Sequence, residues 1–326
     1  MRAVVVEQYG GPNTLQVLDR PAPEPGPGEL SVDVRYAGVN FTDVRNRVGD
    51  GLGRVPFTPG VEVSGRVRAL GSGVSGFRVG QPVAAFTRGS GYAEVATAPA
   101  VLTVAITEEM LDRPDSGGML ITVPVALLLI RRVARITPED LVLLHSAAGG
   151  VGTVVAQIAA RDGLRPLLGT VGSPEKAVFA REHGFAEVFT YEEFAKRVME
   201  YSDGRGADVV LDPVGGAARA ASFEILAPFG RLVTYSNISR EPEVVPDADW
   251  MRARCVGYLG FSGGQFSGRY PELMRAALEE SAGLVAAGQV DLGVTRVFPL
   301  EEVAAAHEVF ADRAARGKLI LGVGCG

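Results

Sequence analysis

Hydrophobic and polar positions follow two different rhythms along the chain. From Met1 to about Thr103, short β-prone runs at 3–7, 15–19, 30–37, 61–69 and 93–96 are separated by turn-forming stretches such as Pro-Ala-Pro-Glu-Pro-Gly-Pro-Gly at 21–28 and Gly-Ser-Gly at 71–73. These predict a mostly β domain of about a hundred residues. After Ile121 the rhythm changes. Strand patterns at 141–145, 166–171, 187–190, 209–212 and 230–235 alternate with helical patterns at 153–162, 174–183, 191–201 and 217–226. That alternation predicts a parallel, doubly wound sheet with helices on both faces, and a ligand beyond the carboxyl ends of its strands.

The last sixty or so residues do not simply extend this pattern. The spacing predicts an amphipathic helix over 269–287, a strand over 294–299, a second helix over 300–315 and a terminal strand over 318–323. By pattern alone this tail can either finish the parallel sheet or cross back to the β domain. The most apolar stretch, 119–130, is too short to span a bilayer and reads as a core helix that begins at Pro124.

A chain of 326 residues accommodates two domains, and 47% hydrophobic residues without a low-complexity run indicate a globular protein. The net charge of -6 and the lack of a basic stripe argue against nucleic-acid binding. The two cysteines, Cys255 and Cys325, make a disulfide scaffold improbable and fit a reducing cytoplasm. The opening Met-Arg-Ala-Val-Val-Val-Glu-Gln lacks the apolar region of a signal peptide and looks like a first strand.

Candidate chemistry centres on Leu-Val-Leu-Leu-His-Ser-Ala-Ala-Gly-Gly-Val-Gly at 141–152. Four apolar residues run into a small-residue turn and then a helical pattern, giving Ala147-x-Gly149-x-x-Gly152, a variant of the dinucleotide fingerprint. Gly149 is expected to supply backbone angles denied to other residues, and Gly152 to let the helix pack closely. Backbone N–H groups of Ala148, Gly149, Gly150, Val151 and Gly152 can then reach a pyrophosphate.

Four motifs, in order, carry a resemblance: Gly38-Val39-Asn40-Phe41-Thr42-Asp43, Pro59-Gly60-Val61-Glu62-Val63-Ser64-Gly65, Ala147-Ala148-Gly149-Gly150-Val151-Gly152 and Arg316-Gly317-Lys318-Leu319. Over nearly its whole length the chain resembles the zinc-free quinone oxidoreductases, the zeta-crystallin-like family of the medium-chain dehydrogenase/reductase superfamily. The resemblance implies an α/β protein: a GroES-like β domain from 1–120 and 263–326, and a doubly wound, parallel-sheet Rossmann domain from 121–262. It also implies a tail that crosses back and a cofactor in the cleft between the domains. Zinc-dependent relatives need cysteine and histidine ligands where this chain has Asn40 and Val61, and the four-cysteine structural lobe is missing from Arg88–Leu111. No metal is expected.

A site that prefers NAD usually carries an acidic residue about 20 positions after the glycine turn. The segment Leu168-Gly169-Thr170-Val171-Gly172-Ser173 has none, and Lys176 and Tyr191 follow. With Ser173 they offer a cation and two hydroxyls, which suit a 2′-phosphate. The resemblance gives the same roles to Gly172, Ser173, Lys176 and Tyr191, so NADPH is the expected cofactor. The blander reading of Lys176 is a solvated residue in a first helical turn, and Glu175 helps a phosphate only if it points away.

At the reacting centre, the resemblance places Asn40, Asn237, Gly260, Phe261, Ser262 and Lys318 against the cofactor. Asn40, Thr42 and Arg45 are the candidate catalytic groups. Hydride addition to a quinone or enone builds negative charge on a conjugated oxygen, which backbone N–H groups, Asn40 or water can stabilise, with protonation from solvent. Arg45 stands where several relatives have tyrosine, and Val125 where relatives often have threonine, so no proton donor is evident. Asn40 as a local turn residue, Arg45 as a solvated cation and Tyr92 as β-domain packing are the blander readings. His145, His183 and His307 lack ligand spacing, and His145 is expected to fix local packing.

Three functions follow. The first is an NADPH-dependent reductase of a small-molecule quinone or conjugated carbonyl acceptor. The second is an enoyl reductase acting on an enoyl thioester or biosynthetic intermediate, and the third a noncatalytic NADPH-binding protein. A homodimer paired through the edge at 254–261 is expected, and no membrane or nucleic-acid partner.

Overall fold

The computed structural model of the chain describes residues 1–51, 53–87 and 89–324; Leu52, Arg88, Cys325 and Gly326, the second cysteine among them, lie outside the described residues. Strand β1 (Arg2–Val6) pairs antiparallel with β2 (Leu15–Asp19). The long strand β3 (Glu29–Val39) pairs antiparallel with β4 (Glu62–Leu70), which in turn pairs with β5 (Pro82–Phe86). Strand β6 (Val95–Pro99) lies along the first half of β3, and β7 (Thr103–Ala105) closes on β5. Register shifts at Ser31/Val32 and Val34/Tyr36 interrupt the β3–β4 ladder, as bulges do.

Helix α1 (Phe41–Val48) leaves the end of β3. It is hidden in the sequence because it is short and polar overall: Phe41, Val44 and Val48 stand at helical spacing, but within a single run of eight residues. Its ends define it: Asn40 at the N-cap, and Gly49 at the C-cap with φ 87, a left-handed conformation that glycine adopts without strain. Helix α2 (Glu108–Asp112) is capped by the Thr107 hydroxyl, which accepts the Met110 N–H at 3.1 Å. Helix α3 (Met119–Leu128) does not begin at its proline, as the sequence suggests; Pro124 lies inside it. The lost N–H breaks one bond of the ladder, and burial of Met119, Leu120 and Val123 offsets that cost.

The chain then builds a second sheet from β8 (Val142–Leu144), β9 (Leu168–Val171), β10 (Glu187–Thr190), β11 (Ala207–Asp212), β12 (Leu226–Thr234) and β13 (Gly257–Gly260). The spatial order is β10-β9-β8-β11-β12-β13 and every pair is parallel, the 3-2-1-4-5-6 order of a dinucleotide-binding sheet. Helices α4 (Gly150–Arg161), α5 (Pro174–Glu182), α6 (Phe194–Tyr201), α7 (Gly216–Glu224) and α8 (Ala248–Arg254) form the connections. Leu143, Leu168, Val210, Phe223 and Leu232 pack together in its core.

The helix predicted over 269–287 is α10 (Pro271–Ala286), started by Pro271, and a separate short helix, α9 (Gly263–Arg269), precedes it. Strand β14 (Val294–Pro299), helix α11 (Val303–Ala311) and strand β15 (Lys318–Gly322) complete the chain. Strand β15 runs antiparallel to β3 with β14 parallel on its outer side, so the tail joins the first sheet and not the second. The chain divides into one compact unit of Met1–Pro124 with the residues from Ser267 onward, and another of Val125–Phe266.

In the second unit a buried ion pair ties two strand ends together. Asp212 takes the N–H groups of Val214 and Gly215 at 2.7 and 3.0 Å and Arg219 Nε at 2.6 Å, while Arg219 Nη2 donates to Thr234 Oγ1 at 2.7 Å. Both side chains are 0% exposed. Arg219→Met is therefore expected to destabilise this unit by about 3–5 kcal/mol in urea unfolding, because it leaves Asp212 buried and unpaired. Adding Asp212→Asn should recover part of that loss.

Candidate functional site

The glycine turn sits at the carboxyl end of β8 and opens α4. Its left-handed residue is Ser146 (φ 61), whereas Gly149 has ordinary extended angles of φ -79 and ψ 167. This corrects the expected role of Gly149: what it provides is space, since a Cβ there would lie 3.1 Å from Ser146 Oγ. At Gly152 the constraint is tighter, because a Cβ would meet the Ala147 carbonyl oxygen at 2.5 Å. Ala147 and Ala148 are buried, with the Ala147 N–H held by Thr170 O at 2.9 Å. No side chain caps α4, so the first-turn N–H groups of Gly150, Val151 and Gly152 have no partner within the helix.

Tyr191 is brought to this turn. Its hydroxyl accepts the Ser146 N–H at 3.0 Å, so it braces the backbone of the turn, and burial pushes its pKa up. Ser173 is the extended N-cap of α5, with Gly172 exposed before it and Lys176 half-buried in the first turn. The Ser173 hydroxyl donates to Glu175, which holds that exposed carboxyl below the usual range. Glu175 thus does not point away from this end.

The ends of β12 and β13 supply the rest of the same edge. Asn237 is tied into its own loop, with Nδ2 donating to Glu241 O at 2.8 Å and Oδ1 accepting from Ser239 Oγ at 3.0 Å. Thr234 and Gly260 are in register, and Phe261 N–H donates to Thr234 O at 2.9 Å, which carries Gly260, Phe261 and Ser262 to the strand ends beside Asn237. Val125 is 8% exposed and packs near Gly263, where a Cβ would meet its Cγ2 at 2.9 Å.

In the first unit, three motifs distant in sequence converge on Asn40. Lys318 Nζ donates to Asn40 Oδ1 and to Glu62 Oε1, both at 2.6 Å. Asn40 Nδ2 donates to Glu62 Oε1 at 3.0 Å and to Gly38 O at 3.2 Å, and Glu62 Oε2 accepts the Ile121 N–H at 2.9 Å. Lys318 and Glu62 are 2% and 1% exposed. Two sequence-based expectations change here. Lys318 is buried on Glu62 and Asn40 and is not presented as a cofactor ligand. Asn40 cannot donate to an oxyanion, because both its amide hydrogens are spent.

Asp43 anchors the start of α1. Its buried carboxylate accepts the Asn40 N–H at 3.0 Å, the Gly60 N–H at 3.0 Å and the Tyr92 hydroxyl at 3.1 Å. Burial pushes its pKa up to about 6, partly opposed by these bonds. Gly60 has φ 98 and lies against Tyr92, where a Cβ would come 2.6 Å from the ring. Tyr92 is 0% exposed, as its packing role requires. Thr42 is exposed in the first turn of α1, while Arg45 Nη2 donates to Asp50 O at 2.9 Å and serves the loop behind the helix. Sequence reading singled out neither Glu62 nor Asp43, although both lie in the quoted motifs; for Glu62, a carboxylate between two valines was the available signal.

Among the described residues no group of three or more His, Cys, Asp or Glu is arranged to hold a metal ion. His183 Nδ1 lies 2.7 Å from Phe179 O, one turn earlier, and His307 is buried against the edge of Tyr92. Among the described residues no helix is long and apolar enough to cross a membrane.

Comparisons with known proteins agree with this architecture. Residues 26–108 match the alcohol dehydrogenase GroES-like domain and residues 183–321 the zinc-binding dehydrogenase family. A quinone oxidoreductase of Pseudomonas aeruginosa is 34% identical over 96% of this chain and 97% of its own. A 2-haloacrylate reductase of Burkholderia is 30% identical over 98% of each chain. A mycobacterial structure complexed with NADPH superposes with a TM-score of 0.90 at 31% identity, covering 98% of this chain and 99% of the other. The chain belongs to the quinone oxidoreductase family of the medium-chain dehydrogenase/reductase superfamily.

His145 gives the glycine turn a pH signature. It is buried, with Nδ1 2.7 Å from Thr170 Oγ1 and Nε2 2.7 Å from Ser222 Oγ, and burial lowers its pKa to about 4. Between about pH 4 and 6.5 the unfolded chain binds a proton here that the folded chain does not, so stability rises with pH across that window and is lost as pH falls. Asp43, with its raised pKa, works in the opposite sense between about pH 4 and 6. His145→Gln is expected to reduce the pH slope of unfolding free energy by about 1.4 kcal/mol per pH unit within the His145 window, measured by urea unfolding across it.

Proposed function

We propose that the protein is a zinc-independent, NADPH-dependent oxidoreductase that passes hydride to a quinone or a related conjugated carbonyl acceptor. The observation that carries this reading is the uncapped start of α4, where Gly150, Val151 and Gly152 offer N–H donors at the carboxyl edge of a 3-2-1-4-5-6 sheet. The fit to a dinucleotide is physical, since Gly152 leaves no room for a side chain and Ala147 and Ala148 add no bulk to the turn. Ser173 and Lys176 at the start of α5 would take the 2′-phosphate, with Gly172 giving backbone access and Tyr191 bracing the turn. Asn237 and Gly260–Ser262 would hold the nicotinamide end.

NADPH supplies the hydride when bound. This chain's own contribution is placement. Thr42, exposed at the start of α1, is the hydroxyl available to an acceptor oxygen, and Asn40 offers only an acceptor. The relatives named as a quinone oxidoreductase and a 2-haloacrylate reductase both act on electron-poor π systems, which supports that acceptor class. Cytoplasmic residence belongs to the same reading, supported by Cys255, which is exposed and unpaired. A homodimer joined at β13 is also inferred, because that strand ends its sheet and exposes Leu259; a monomer by light scattering at assay concentration would overturn it.

Steady-state NADPH oxidation with a panel of small quinones, enones, crotonyl thioester and longer enoyl thioesters tests the reading. Turnover confined to enoyl thioesters would assign an enoyl reductase, and tight NADPH binding without any turnover a noncatalytic protein. Lys176→Ala is expected to lower kcat/KM for NADPH by about 10- to 100-fold, the loss of one charge-assisted contact, and to leave NADH within about twofold. Equal losses with both cofactors would remove Lys176 from the 2′-phosphate site.

A further inference from the structure

We propose that Arg47 on α1 and His307 on α11 form a buried binding site for a small monovalent anion of the chloride type, which supplies a counter-charge that the protein's own side chains do not. The site lies wholly within the first compact unit and does not depend on the NADPH reading. Arg47 is 2% exposed and His307 0%. Among the described residues, Nε and Nη1 of Arg47 and both ring nitrogens of His307 have no hydrogen-bond partner. With Tyr92 these side chains form one cluster. His307 packs on the edge of Tyr92, with ring centroids 5.9 Å apart and planes at 87°, and Arg47 interacts electrostatically with both.

Arginine does not give up its proton in a protein, so burial leaves a full positive charge to be answered. No carboxylate answers it. Among the described residues the one acidic side chain acting on the guanidinium is the Tyr92 phenol, which is neutral because burial and the neighbouring Asp43 push its pKa up. Asp43, one turn earlier on α1, is engaged by the Asn40 and Gly60 N–H groups and the Tyr92 hydroxyl, and the cation acting on it is Lys318. Burial and the charge of Arg47 lower the pKa of His307 to about 3, so its ring is neutral and offers one N–H. Val6, Val303 and Ala306, packed with Tyr92 in the same core, carry no side-chain acceptor. A water molecule accepts from Arg47 but leaves its charge unanswered, whereas an anion accepts from Arg47 and from the imidazole N–H and cancels the charge. Two donor side chains among apolar neighbours are too few for a tetrahedral dianion, which fixes the class as small and monovalent.

Urea unfolding at constant ionic strength, with sodium gluconate replaced stepwise by sodium chloride, tests the site in solution. Once chloride exceeds its Kd, each tenfold rise is expected to lower the unfolding equilibrium constant about tenfold. Arg47→Met removes the charge and keeps an unbranched side chain, and in that variant the constant is expected to change by less than about twofold over the same range. Chloride effects elsewhere on the surface are common to both proteins and cancel in the comparison. Crystals of the unsubstituted protein grown in sodium bromide give a second reading that needs no variant: an anomalous-scattering peak is expected within hydrogen-bond reach of both Arg47 and His307. A water without anomalous signal at that place, a bromide peak without chloride dependence in solution, or equal chloride dependence in the two proteins would overturn the proposal.

Discussion

Burial of a complete ion pair, Glu62 with Lys318, is the constraint on which the first unit turns. Removing both charges from water is costly, and their attraction compensates only when the remaining donors and acceptors are also satisfied. Here the Ile121 N–H and the Asn40 carboxamide satisfy them, and glycines at 38 and 118 make room. Glu62 opens β4, Asn40 follows β3 and Lys318 opens β15, so the pair forms only if the end of the chain returns beside its beginning. The tail's route and the chemistry of Asn40 are thus one fact.

The second unit uses the same device for a different end. Asp212 and Arg219, both fully buried, shape the loop after β11 and tie it to the end of β12. Tyr191 and Thr170 hold Ser146 and Ala147, and no side chain caps the first turn of α4. In each unit a buried ion pair with further hydrogen bonds fixes a loop. Such a site needs few reactive side chains, which suits a reaction whose reactive atom belongs to a bound nucleotide.

Much of this was legible along the chain. The alternation after Ile121 foreshadowed the parallel sheet and nearly all its helices, because buried parallel strands are short apolar runs and their crossovers keep a helical period. Strands β5 and β7 and helix α1 were not legible. β5 is buried on every residue and starts with proline, β7 has three residues, and α1 is a single eight-residue run in which polar residues outnumber apolar ones. Pro124 misled for a related reason: a local start signal was overridden by burial of the whole apolar segment around it.

The sequence by itself determined the periodicities, the order of the four motifs and the placement of small residues where a backbone must come close. It also determined that neither cysteine nor histidine stands at 40 or 61. Tertiary structure alone decided what the polar residues of those motifs do. Gly149 proved to be about space and Ser146 about angle, because only folding shows which atom the turn approaches. Tyr191 faces the turn, and Lys318 is buried on Glu62. Whether a side chain donates, accepts or supports depends on partners far away in sequence: Asn40 is a possible donor on the page and an acceptor in the fold because Lys318 lies 2.6 Å from its oxygen.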